Sequence, residues 1–333
     1  MKRTIGILLT GVIILVLVAG LTFTGHAAPK KVVWKMSHTG APDAPYHQAA
    51  LTLAKLVNEK SKGNFEIQVY HSSVLGWERE VLEGMQLGTI AATWASTGPL
   101  ATFVPSYDVF NLPFLFRDEE HMMKALKSPA MQKLYKDAEN YGFIVPGVGG
   151  PVFRIPMNSK RPINVPDDFK GIKFRTMAVP AHIDAYKAFG ANVTTTSFSE
   201  LYSALQLGAV DGCENTNSSL HLQNFYEVCG YVSELPMINS TVALVYSKVL
   251  YDKLPKEYKK ILDEASVEAL KRVDEEFIKQ EVTSKEFMLK QGIKFNRPDP
   301  EPFIKATEPV REKYLKAMKP WVRELVEEIQ NIQ

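Results

Sequence analysis

Two stretches of this sequence, 120 residues apart, follow one plan, and that repeat limits the folds open to the chain. EREVLEGMQLGTIAATWAST runs from Glu78 to Thr97, and SELYSALQLGAVDGCENT from Ser199 to Thr216. With Gln86 set over Gln206, Glu80 falls on Glu200, Leu87 on Leu207 and Gly88 on Gly208. The apolar pairs Val81/Leu201, Met85/Leu205 and Ile90/Val210 align as well. Glu-rich amphipathic helices that stop at glycine are common, so chance is one explanation. The sharper one is two similar lobes, each built on a helix, a glycine stop and a following strand.

The context of each copy favours two lobes. KVVWKMSH alternates apolar and polar residues as a half-buried strand. GAPDAPYHQAALTLAKLVNEKSKG reads as a turn and a helix stopped at Gly63, and NFEIQVYHSS as a second strand. The first copy adds a helix over 78–87 and a strand over about 89–95, a β-α-β-α-β order that predicts a parallel sheet covered by helices. YGFIVPGVGGPVFRIPMNSKRPI holds two strand-like runs, with GVGG at 147–150 as the turn between them. The second half restarts the pattern: GIKFRTM as a strand, PAHIDAYKAFG as a helix with Pro180 near its start and Gly190 past its end, and ANVTTTS as a strand. Ser197 and Glu200 have capping-box spacing at the head of the next helix, and AVDGCEN returns as a strand. From Lys256 to Gln291 there is neither Gly nor Pro, and Tyr258, Ile261, Leu262, Ala265, Ala269, Val273, Phe277 and Ile278 recur at helical spacing. One helix there extends about 54 Å at 1.5 Å per residue, more than the width of a small lobe. Its stripe is not a sustained heptad, so a strut across both lobes fits better than a coiled coil.

The chain's 333 residues suffice for two domains with cores of their own. Lys and Arg number 39 against 37 Asp and Glu, a net charge of +2, and no basic run or aromatic-basic module occurs. Nucleic acid is therefore not an expected partner. At the N-terminus Lys2 and Arg3 precede an apolar run with no charge until Lys30, and Gly25-His26-Ala27 offers small residues for a cleavage site. Residues 1–27 read as a signal peptide, so export to the periplasm is expected, with an uncleaved membrane anchor as the rival reading. Cys213 and Cys229 can pair in an exported protein or lie as two buried thiols. Two cysteines without supporting histidines make no metal site.

Motifs for nucleophilic, metal or nucleotide chemistry are missing, so no catalytic residue, metal or cofactor is expected. What remains is polar residues at strand ends in the second half. In GIKFRTM, Ile172 and Phe174 face one way and Lys173 and Arg175 the other. Arg175 lies near the carboxyl end of its strand, where open α/β sheets bind ligands, and a guanidinium can hold a carboxylate through two parallel hydrogen bonds. Arg154 is a second strand arginine, and Asn215 ends the strand AVDGCEN. Each has a plain alternative, a surface ion pair or a turn amide, while Trp94 and Phe198 read by default as core.

At this point the chain resembles a known family, the extracytoplasmic solute-binding proteins of tripartite ATP-independent periplasmic (TRAP) transporters, the DctP type. LGWERE followed by QLGTI, NLPFLF, VFRIPMNSKRPI with DFKGIKFRTM, FGANVTTTSFSELYSALQLGAVDGCENT and NFYEV carry the resemblance in order along the whole mature chain. It implies an α/β, two-lobed periplasmic binding protein fold, type II-like, with a long helix spanning both lobes. The implied first lobe is 28–152 with 240–280 returning to it, and the second is 153–239 with 281–333 returning. The family's K-x-R arginine, which clamps a ligand carboxylate, falls on Arg175, its G-x-R-x-x-x-N arginine on Arg154 with Asn158 closing the motif, and its ligand-contacting Asn on Asn215, preceded by Glu214. Cys213 stands where the family carries Gln, a departure expected to alter ligand fit. Phe198 matches an aromatic that packs on the ligand, and Trp94, Ser96, Ser37 and His38 occupy pocket positions by analogy.

The resemblance implies capture of a small organic acid, a C4-dicarboxylate, a sugar acid or another hydroxy or keto acid, and its delivery by a monomer to the TRAP membrane subunits. Trp94 in place of a first-lobe charge points toward a bulkier or monocarboxylate ligand. Two rival classes stay open: a sensor presenting its closed form to a membrane receptor, and a secreted enzyme on a carboxylate, with His38, Glu214 or Asp211 as its base.

Overall fold

The computed structural model describes residues 31–333; the signal-peptide expectation lies outside them. Twelve strands form two sheets among these residues. In chain order they are β1 (Val32–Ser37), β2 (Phe65–Tyr70), β3 (Ala92–Ser96), β4 (Phe143–Gly149), β5 (Phe153–Asn158), β6 (Lys173–Thr176), β7 (Asn192–Thr195), β8 (Gly212–Asn215), β9 (Tyr231–Ser233), β10 (Ile238–Asn239), β11 (Val242–Ser247) and β12 (Lys294–Asn296). The first sheet runs β2-β1-β3-β11-β4 and the second β12-β9-β5-β8-β6-β7, with β10 beside β5. Each lobe is thus a mixed sheet: β1 is parallel to β2 and β3 while β11 is antiparallel, and β6 is parallel to β7 and β8 while β5 is antiparallel. The chain passes between sheets after Gly149, again after Asn239, and a third time between β11 and β12.

Both copies of the repeat occupy the same place in their lobes. Helix Glu78–Leu87 buries Val81, Leu82 and Met85 and ends at Gly88 with φ of 76°; helix Leu201–Gln206 buries Leu201 and Leu205, with Gly208 beyond it at φ of 69°. Glycine adopts this left-handed conformation without the Cβ clash that other residues meet. The strands that follow, β3 and β8, are interior to their sheets. The second helix starts after Glu200, and Ser197 Oγ bonds the Glu200 side chain at 2.6 Å rather than a helix amide, so the predicted capping box does not form.

GVGG is not a turn: Gly147 and Gly149 lie in β4, beneath the long helix. A Cβ at Gly147 would sit 2.7 Å from Leu270 and one at Gly149 2.6 Å from Val273, so these glycines let helix and strand approach. The long helix spans Lys256–Lys290. Tyr258, Ile261, Leu262, Ala265, Ala269, Val273 and Phe277 pack into the first-lobe core with Trp34 and Leu53. Beyond them, Glu281 accepts the Asn217 and Ser218 amides at 2.9 Å each, Phe287 stacks on His221 at 4.1 Å, and Met288 joins the second-lobe core. Ile278, placed in the stripe by its spacing, is exposed.

The C-terminus departs from expectation. Helix Glu301–Ala317 covers the second lobe through Phe303, but helix Pro320–Asn331 packs Val322, Leu325, Val326 and Ile329 into the first-lobe core. That i, i+3, i+4, i+7 stripe needs an apolar partner, and Met131 and Leu134 supply it. Cys213 and Cys229 are free, buried thiols.

Candidate functional site

A cleft of about 420 Å³ opens between the sheets. Thr39, Tyr46, Trp77, Glu78, Arg79, Ser96 and Phe277 belong to its first-lobe wall, and Arg154, Arg175, Thr195, Thr196, Phe198 and Asn215 to its second-lobe wall. Strand direction explains the second wall. Parallel β6, β7 and β8 bring Arg175, Thr195 and Asn215 to one edge by their carboxyl ends, and antiparallel β5 returns Arg154 to the same edge, Ile155 pairing with Asn215.

Arg175 is 3% exposed, while its neighbour Phe174 packs into the core with Phe169 and Tyr186. Its Nε and Nη2 donate to the Thr196 carbonyl at 3.1 and 2.7 Å, and Nη1 is buried without a partner. The guanidinium is therefore held along one edge and unsatisfied at the other. Burial lowers its pKa and Glu214 opposes that shift, yet a guanidinium remains a cation at neutral pH.

Arg154 donates Nε to the Glu214 carboxylate and Nη2 to the Glu214 carbonyl at 2.9 Å. Glu214 is fully buried and is no part of the cleft wall; its Oε1 accepts from Thr176 Oγ1 at 2.6 Å and the Met177 amide at 3.3 Å. Burial alone would raise this carboxyl, but Arg154, Arg175 and His182 together hold it below its ordinary value. Expected as a ligand contact, Glu214 is placed as the counter-ion beneath two arginines.

Asn215 lines the cleft, its Oδ1 accepting the Thr216 amide at 2.9 Å. Phe198 lines it too, edge-on to Phe225. Ser96 is in the opposite wall, its amide donating to Glu78 Oε1 at 2.7 Å.

Other expected residues lie elsewhere. Trp94 is buried among Trp34, Leu244 and Tyr246 in the first-lobe core, outside the cleft wall. Ser37 and His38 are buried behind the wall, His38 Nε2 lying 2.9 Å from His47 Nδ1. Burial first, then His47 and His71, push the His38 pKa down to about 3. Their neighbours Thr39 and Tyr46 line the cleft instead. Cys213 points into the second-lobe core with Leu201 and Val232, so it does not touch the cleft. Asn158 ties a turn, accepting the Lys160 and Arg161 amides at 2.8 and 2.9 Å. None of His38, Glu214 and Asp211, the enzyme reading's candidate bases, lines the cleft. Among the described residues no cluster of acidic, His or Cys side chains could hold a metal, and no helix is long and apolar enough to cross a membrane.

Sequence reading missed Trp77, Glu78 and Arg79 as wall residues. The signal was in LGWERE, which carries part of the family resemblance and the start of a helix but was given no residue in the pocket.

Two mixed α/β lobes, joined by crossing segments and a shared helix around a cleft with an unsatisfied buried arginine, define a periplasmic-type binding protein. The model of the bacterial extracellular solute-binding protein family 7, DctP, matches residues 36–317, and the chain belongs to that family. The C4-dicarboxylate-binding periplasmic protein DctP of Rhodobacter capsulatus is 32% identical over 252 residues, 75% of each chain. A TRAP periplasmic solute-binding protein from Polaromonas sp. JS666, solved bound to D-erythronate, is 33% identical with a TM-score of 0.86, covering 91% of this chain and 99% of that one. One from Chromohalobacter salexigens with bound D-glucuronate is 27% identical with a TM-score of 0.87, covering 90% and 100%.

Proposed function

We propose that this chain captures a small organic-acid anion in the periplasm and presents it to the membrane subunits of a TRAP transporter. The observation that carries the reading is the Arg175 guanidinium, buried in the cleft wall with Nη1 unpartnered. A carboxylate laid against its free edge accepts from Nη1 and Nη2 and removes the cost of an unsatisfied buried donor. Arg154 is held by Glu214, so Arg175 supplies the uncompensated charge. Asn215 and Phe198 complete the pocket, one polar and one apolar. The acids named for the related proteins, C4-dicarboxylate, erythronate and glucuronate, are of the expected class.

Ligand favours the closed state only as far as it binds that state better, and expulsion of water on closure strengthens the Arg–carboxylate attraction. On this reading the chain works as a monomer, releases its ligand unchanged and is exported with cleavage of residues 1–27. A thermal-shift screen of organic acids tests it, with Arg175→Ala beside the wild type. A bound acid at 100 times its Kd stabilises the wild type by about 2.7 kcal/mol, and the Ala variant loses that response. An equal response from both proteins removes Arg175 from the site, and consumption of the acid during incubation replaces binding by catalysis.

A further inference from the structure

The cleft's two walls differ in charge. Opposite Arg175, the first-lobe wall carries the Glu78 carboxylate at the start of helix Glu78–Leu87. Its Oε1 is fixed by the Ser96 amide at 2.7 Å, and Oε2 has no hydrogen-bond partner among the described residues. The neighbouring Arg79 is mostly exposed and pairs with Glu83 at 3.0 Å, so it does not neutralise Glu78. Arg154 is the other cation in the wall, and the Glu214 carboxylate already compensates it. Around Glu78 the wall offers the Thr39, Tyr46 and Ser96 hydroxyls.

We propose that Glu78 sets specificity, so that the cleft selects acids bearing one carboxylate at the Arg175 end and hydroxyl donors at the other, and excludes the matching dicarboxylates. The inference rests on the reading of Arg175 as the carboxylate clamp. A carboxylate accepts hydrogen bonds but cannot donate them, so Oε2 rewards a hydroxyl and repels a second carboxylate. Burial raises the Glu78 carboxyl above its ordinary value, while the Ser96 bond and Arg154 oppose that rise and favour the ionised form. The monocarboxylate preference expected from Trp94 thus has another source, since Trp94 is outside the wall.

Matched acid pairs isolate the effect. D-Erythronate and meso-tartrate differ only in a terminal hydroxymethyl replaced by a carboxylate, as do D-gluconate and D-glucarate. Calorimetric affinities for both pairs are compared in the wild type, Glu78→Gln and Arg175→Ala. Gln keeps an oxygen for the Ser96 amide while removing the charge, so the helix start stays intact. The wild type binds the monocarboxylate at least about ten-fold more tightly than its dicarboxylate partner, and Glu78→Gln shrinks that preference about ten-fold. A ratio unchanged within two-fold in Glu78→Gln overturns the role of Glu78, while Arg175→Ala still abolishes binding and leaves the clamp standing. Wild-type preference for the dicarboxylates also overturns it. If Arg175→Ala binds the acids as tightly as the wild type, the clamp reading itself falls, and a wild type that binds none of the four acids overturns the proposed selectivity.

Discussion

In the first lobe the repeated unit ends in β3, where Trp94 is buried against Leu244 and Tyr246; in the second it ends in β8, where Glu214 takes the equivalent position beneath two arginines. The same helix, glycine and strand therefore support an apolar core under one wall and a charged network under the other. The network, Arg154–Glu214–Thr176, ties β5, β6 and β8 together behind the second wall. The first wall is built differently, from Thr39 and Tyr46 after β1 and from the start of helix Glu78–Leu87. On the proposed reading, one lobe fixes a carboxylate and the other reads the remainder of the molecule.

The strongest way to break this contrast is Glu214→Ala. It strands Arg154 and Arg175 without their buried counter-ion, and such losses cost about 3–5 kcal/mol. Urea denaturation measures the loss, and ligand affinity falls with it because Arg154 loses its fixed geometry and Arg175 its neighbouring opposite charge. A variant that keeps wild-type stability removes the network as the basis of the second wall.

Each lobe also hides an imidazole whose pKa burial lowers strongly, which sharpens the comparison with a smaller effect. Burial, with help from His47 and His71, lowers His38 to about 3 in the first lobe. Burial lowers His182 to about 4 in the second, with Glu214 opposing and Arg154 assisting. Because these folded pKa values lie below the ordinary 6.5, the unfolded chain takes up protons first as pH falls. Stability is thus unaffected above about pH 7 and declines from pH 6.5 downward, by about 2 kcal/mol per histidine at pH 5. Glu214, whose folded pKa is also depressed, adds its own loss only below its ordinary 4.5, outside that window. Denaturation midpoints between pH 7.5 and 5 check this, with His38→Asn and His182→Gln each expected to remove its share.

What could be read in the sequence and what could not divide along physical lines. Helix stops, strand alternation and the long helix depend on local periodicity, and Gly88, Gly208, Phe174/Arg175 and Lys256–Lys290 followed from it. The Arg154–Glu214 pair joins residues 60 apart through the antiparallel β5–β8 register, which no local pattern encodes. The family analogy puts Trp94, Ser37 and His38 in the cleft, but a matching chain position alone does not say which face lines a pocket. Glu78 escaped notice because an acidic residue in a helix's first turn already has an electrostatic explanation. The return of Pro320–Asn331 to the first lobe was equally hidden, since an amphipathic stripe declares a need for a core but not which core.

The smallest expected effect compares the two glycines themselves. Alanine at either must adopt a left-handed conformation, at a cost of about 1 kcal/mol. A Cβ at Gly208 meets nothing within 4 Å, whereas one at Gly88 comes within 3.1 Å of Val249 Cγ1 in the segment after β11. The first helix end is further tied to its lobe by Gln86, which donates to the Tyr141 carbonyl at 2.9 Å. Gly208→Ala is therefore expected to lose about 1 kcal/mol and Gly88→Ala up to about 1 kcal/mol more, from crowding in a packed site. Chemical denaturation of the two variants side by side measures the difference. Equal losses mean that Val249 yields without cost and that the two stops are energetically alike. A larger loss at Gly88 means that the first-lobe stop also serves as a packing surface, while its counterpart at Gly208 only turns the chain.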